Sequence, residues 1–252
     1  MFTKLFSALF GAVMLLAAVF GVTDTANAQQ TALMVTDIGF VSHVTAGMVE
    51  QDAYIEKVPG SGEVFRVTAD EAKKYLDFPA YTTKTSHHHV PFAPVGAGPF
   101  EKGKALGMTL GEWLAGTGTA DYTCKGGAAT IKIDFEKLVP NGIYTVWYFL
   151  AGKPQMGCAD CPFGTIDFPM GGGDGSQSVF TAGADGKATY EASFSPCLML
   201  GNDLIFSGMA LNYHSDGKTY GKEPGEFGNK AHIQIFAGLP DEGAWTVASK
   251  SE

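Results

Sequence analysis

The sequence predicts a mostly β protein: an antiparallel β-sandwich of Greek-key type with two short helices in its connections. Three observations carry this expectation. Ile131, Ile133 and Phe135 alternate strictly with Lys132, Asp134 and Glu136, the period of a strand with one wet face. Ile143 to Leu150 places apolar or aromatic residues on both faces, with Thr145 the one exception, as a strand buried on both faces would. Asp-Gly and Pro-Asn-Gly turns separate such runs, and no helical stretch is long enough for a βαβ crossover.

The chain opens on an address rather than on the fold. Lys4, the apolar run Leu5 to Val22 and the small residues Ala26-Asn27-Ala28 have the layout of a secretory signal peptide over residues 1–28. Gln29 then begins the mature chain. Taking 28 residues from 252 leaves 224, which suits one β-sandwich domain over 29–252 with an irregular N-terminal subregion. No other apolar run approaches the ~20 residues that span a bilayer, so no transmembrane anchor is expected after signal removal. The expected location is periplasmic or secreted. A net charge of −9 without a basic run argues against nucleic acid as a partner.

Taken in order, Ala32 to Val35 and Phe40 to Val44 read as strands, and Pro59-Gly60-Ser61-Gly62 turns the chain into a third, Val64 to Val67. Thr68 and Glu71 have the spacing of a capping box, which predicts a helix over Ala69 to Leu76. Thr82 to Gly103 reads as irregular, with Pro91, Pro94 and Pro99. Thr109 and Glu112 repeat the capping-box spacing ahead of Trp113 and Leu114, with Gly116 as the stop. Tyr122 to Leu138 and Ile143 to Leu150 are expected to form a central hairpin about Pro140-Asn141-Gly142. Residues 151–176 read as a long loop, of a length that is usually functional or disordered. Ser178 to Ala182 and Lys187 to Phe194 are expected to pair about Asp185-Gly186, and Leu204 to His214 and Ala231 to Phe236 complete the strands.

All four cysteines fall in the mature chain, and export makes disulfides the expected state, with pairings Cys158–Cys161 and Cys124–Cys197. Cys158-Ala-Asp-Cys161 sits in a Pro/Gly-rich loop, without the helix N-terminus that lowers a thiolate pKa in redox motifs.

Histidine supplies the candidate chemistry. In an extended segment His87 and His89 face one side and His88 the other, and His-x-His presents two imidazoles to one ion. His214 ends one strand and His232 begins the last. Gln234 shares the face of His232, and with Ile233 and Ile235 opposite, that polar pair is expected to point away from the core. The expected metal set is therefore His87, His89, His214 and His232, for copper or zinc. A type 1 copper centre is excluded by the lack of an ordered Cys-His-Met cluster.

Two alternatives belong to other classes. Tyr213 and Tyr220 flank the turn Ser215-Asp216-Gly217-Lys218 and would serve a non-enzymatic module for a glycan or protein partner. A secreted hydrolase with dispersed acid and base residues is the other. Binding is favoured over catalysis, because the sequence contains no Gly-x-Ser-x-Gly elbow, His-Glu-x-x-His, Walker loop or dinucleotide fingerprint.

Overall fold

The computed structural model describes residues 32–46, 52–86, 97–152, 164–201 and 205–240. All of them fall in one compact unit, Thr31–Glu252. The signal segment 1–28 lies outside the described residues, as do His87, His88, His89, Cys158 and Cys161.

Two antiparallel sheets form the sandwich. Sheet A contains β1 (Leu33–Phe40), β6 (Thr117–Lys125), β7 (Ala128–Glu136) and β11 (Ala188–Phe194), in that order. Sheet B runs β10 (Val179–Thr181), β8 (Ile143–Gly152), β12 (Ile205–His214), β13 (Ala231–Gly238), and β9 (Gly164–Pro169) pairs with β8 beside β10. Val41 bridges to Phe236 and links the end of β1 to β13. A third small sheet, β2 (Tyr54–Ile55), β4 (Pro79–Thr83), β5 (Phe100–Thr109), β3 (Glu63–Val64), lies in the N-terminal subregion with α1 (Ala69–Ala72) and α2 (Leu110–Leu114). Ile55, Val67, Ala72 and Leu110 form its own small core. Among the described residues no helix is long and apolar enough to cross a membrane.

The alternation read in β7 is present residue by residue: Ile131, Ile133 and Phe135 are buried, and the charged residues between them are exposed. They meet Tyr144, Val146, Tyr148 and Leu150 of β8 in the shared core. The other face of β8, with Trp147, Phe149 and Ala151, forms a second apolar cluster with Ala210 and Ile233. β8 is thus buried on both sides, as the apolar residues on both of its faces require.

The expected hairpins are corrected. β7 and β8 do not pair: the Pro140-Asn141-Gly142 turn, with Asn141 at φ 57°, carries the chain from sheet A to sheet B. The Asp185-Gly186 turn returns it, because β10 pairs with β8 and β11 with β7. The physical reason was present in the burial patterns. A strand with one wet face and a strand with none cannot be neighbours in a sheet whose outer face is uniformly wet.

Other elements differ in extent. α1 ends at Ala72 rather than Leu76, and only half of its capping box forms. Thr68 accepts from the Glu71 amide, but the Glu71 carboxylate pairs with Lys57 instead. In α2 both halves form: Glu112 N–H donates to Thr109 Oγ1, and Thr109 N–H donates to Glu112 Oε2 at 2.8 Å. β4 and β5 include residues read as irregular, and β9 lies within the segment read as one long loop. Cys124 and Cys197 form the expected disulfide, tying the end of β6 to the segment after β11.

Candidate functional site

Sheet B admits polar side chains to its buried faces at one end. Thr145 on β8, Asn212 and His214 on β12, and His232 and Gln234 on β13 are all at most 2% exposed. Buried polar groups of this kind are retained where hydrogen bonds satisfy them, and here most are. Gln234 accepts from Tyr144 OH at 2.7 Å and donates its amide to Trp113 O. Gly116 lies so close that a Cβ there would meet the Gln234 amide nitrogen at 2.7 Å, so only glycine fits beside it.

A β-bulge in β13 decides which way His232 faces. Ile235 pairs with Leu211 but Ile233 with Asn212, leaving Gln234 as the extra residue. Ile235 therefore lies in the shared core and Ile233 in the outer cluster. His232 pairs with Tyr213 and packs against Trp113 and Tyr213 on the inner side. The expectation that His232 and Gln234 point away from the core is overturned, because one inserted residue shifts the alternation by half a period.

His232 has both ring nitrogens engaged. Nδ1 lies 2.7 Å from the Asp52 carbonyl, and Nε2 lies 2.8 Å from Ser215 Oγ. A carbonyl only accepts, so Nδ1 carries the proton and Nε2 accepts from the serine. Burial holds this imidazole below its ordinary pKa, which keeps it neutral. Asp52 is fixed in turn: its Oδ2 accepts from the Ile233 amide at 3.1 Å, and its carboxylate pairs with the buried Arg66 at 3.6 Å. Arg66 also donates to Tyr54 OH.

His214 leaves the sheet on the opposite face. Its Nε2 meets Thr145 Oγ1 at 2.7 Å, and the same oxygen accepts from Trp147 Nε1 at 2.8 Å. Its Nδ1 is buried without a hydrogen-bond partner among the described residues, as is Asn212 Oδ1 two positions earlier. Burial pushes the imidazole down to about 4. Tyr220 covers the ring at 5.7 Å between centroids and donates to Asp216 Oδ2 at 2.7 Å.

The loop between β12 and β13 gathers a further segment. Phe227 packs on the outer cluster of Trp147, Ala210 and Ile233, the face from which His214 projects. Ser86 donates within hydrogen-bond distance of Glu226 Oε2 and Asn229 Oδ1, and the Thr83 amide donates to Gly228 O at 2.7 Å.

Of the expected ligands, His214 and His232 are neighbours on opposite faces, and His87 and His89 lie outside the described residues. Among the described residues no group of three or more His, Cys, Asp or Glu side chains gathers as a ligand set. Tyr213 packs inward among Trp113, Tyr144 and His232 rather than offering a surface platform. Ser215, Asp52 and Thr145 escaped the sequence reading. Ser215 read only as part of a turn, and nothing local in sequence links Asp52 to a strand 180 residues later. No family model matches the chain, and neither a curated protein nor a solved structure matches it.

Proposed function

We propose that the chain is an exported β-sandwich protein that binds a copper or zinc ion, with His214 as the fixed ligand and His87 and His89 completing the set. The observation that carries this reading is the buried Nδ1 of a neutral imidazole, which has no hydrogen-bond partner among the described residues. In the tautomer that binds an ion, His214 Nε2–H donates to Thr145 Oγ1, whose other lone pair accepts from Trp147, and the Nδ1 lone pair is left for the metal. One nitrogen held by the protein and the other free is the usual arrangement of a metal-bound imidazole. Ser86 adds support: it is bonded to the loop that covers the face of His214, and His87 is the next residue. His232 would join such a set only by giving up Ser215 and crossing to the other face. Export rests on the signal-like N-terminus and agrees with the disulfide.

The test is the change in melting temperature that Cu²⁺ or Zn²⁺ produces in each variant relative to the same variant with chelator. An ion at a hundred times its Kd adds about 2.7 kcal/mol. His214→Ala, His87→Ala and His89→Ala should each lose most of the shift, and His88→Ala should keep it. An absent shift, or equal losses at His87, His88 and His89 with none at His214, would refute the reading.

A further inference from the structure

We infer that Ser215 is a base-activated nucleophile, with His232 as its general base, that accepts the acyl group of an ester. The pair lies on the inner side of sheet B, apart from the face of His214, and does not depend on an ion.

The geometry supports this in four steps. Ser215 is partly exposed at the turn that follows β12, while its partner ring is buried. A hydroxyl donates one hydrogen bond, and three acceptors surround this one. His232 Nε2 is the nearest at 2.8 Å, while the Lys230 and Asn229 carbonyls lie at 3.2 and 3.3 Å, beyond ordinary O–H···O distances. The Asp52 carbonyl fixes the tautomer that leaves the Nε2 lone pair on the serine. The ring plane is held by Trp113 and Tyr213, and Asp52 is itself held by Ile233 N–H and Arg66. Nucleophile, base and a third group that orients the base are the parts that activate the nucleophile in serine acyl transfer. Asp52 is a positioning residue here.

In the step, Ser215 Oγ attacks the ester carbonyl carbon as its proton passes to His232 Nε2. The tetrahedral intermediate collapses with loss of the alkoxide, which takes that proton and leaves as the alcohol. Water then hydrolyses the acyl-serine, again with His232 as base, and returns the free hydroxyl and a carboxylic acid. Apart from the ester, water is the only co-reactant.

A fluorophosphonate probe reads the nucleophile without a known substrate, because attack by Oγ displaces fluoride and leaves a stable adduct. Chelator-treated protein should gain one adduct, mapped by peptide mass spectrometry to Ser215. Ser215→Ala should abolish it, and His232→Gln should slow it on the order of a hundredfold or more, the usual contribution of a general base. Ser176→Ala should leave it unchanged, since Ser176 bonds Asp174 and no imidazole. An unlabelled wild-type protein, or a label elsewhere, overturns the proposal whatever the variants do. Undiminished labelling in a folded His232→Gln variant overturns the role of the base. Labelling that persists while the metal-dependent shift fails would separate this inference from the ion-binding reading.

Discussion

Sheet A and sheet B share one interior and treat their outer faces in opposite ways. Along β7 every second residue lies in water, where Asp134 accepts from Thr189 and Glu136 pairs with Lys187. Along β13, Ala231 to Ile235 are all buried, and the outer face of β8 carries Trp147 and Phe149 into a second core. A sheet with one wet face can place polar side chains there at little cost. In a sheet covered on both faces a buried polar atom that is left unbonded costs free energy, and most of those in sheet B are bonded. Polar residues in sheet B are accordingly buried, specifically oriented and concentrated at one end, and that is where the candidate chemistry lies.

The sharpest way to break this contrast is to truncate each outer face. Trp147→Ala removes a side chain that is 2% exposed and the donor that helps fix Thr145. It should lower stability by about 3–5 kcal/mol in urea unfolding, the range for large aromatic truncations in a core. A loss no larger than that of a surface substitution would show that the outer face of sheet B is not a second core.

Acid should separate the sheets next, because the two buried imidazoles of the site belong to sheet B. The unfolded chain takes up a proton at His214 near the ordinary value of 6.5, whereas the folded chain resists until about 4. The unfolded state therefore binds more protons in that window, and stability falls as pH drops from 6.5 to 4. For His214 the full loss is about 3 kcal/mol, from the free energy of each pKa unit. His232 shifts in the same direction and adds to it. Unfolding free energies measured across the window should show the slope, and His214→Gln should remove the His214 share. An unchanged slope in that variant would mean the ring is not held neutral by burial.

The smallest effect belongs to sheet A. Lys132→Ala removes an exposed ammonium that pairs with Asp134 in solvent. Such pairs contribute little, and stability should change by less than ~0.5 kcal/mol in the same assay. A loss of more than about 1 kcal/mol would mean that the wet face of sheet A carries structure of its own.

The same contrast explains what was legible in the sequence. Period two in β7 and the apolar residues on both faces of β8 were readable because each follows from how many faces are covered. Which sheet each joins was not, since a turn sequence fixes local backbone and not the partner strand. β4 and β9 were hidden because Pro79, Gly164 and Pro169 bound them like loop residues. At the site His214 and His232 were readable as residues, but the direction of His232 depended on the bulge at Gln234, which leaves no mark in periodicity. Asp52 was out of reach for another reason: its partner is brought to it only by tertiary folding.

The disulfide has a mechanical consequence. Cys124 and Cys197 enclose β7, β8, β9, β10 and β11, so the centre of sheet B lies inside a covalent ring closed over a separation of 73 residues. β12 and β13, with His214, Ser215 and His232, lie outside it. Tension applied between β1 and β13 is carried across the sulfur bridge and never loads the enclosed strands. At roughly 3.3–3.6 Å per residue, about 250 Å of chain is withheld from extension. β13, an edge strand of sheet B, and β12 beside it are then on the loaded path, and His214, Ser215 and His232 lie along that path.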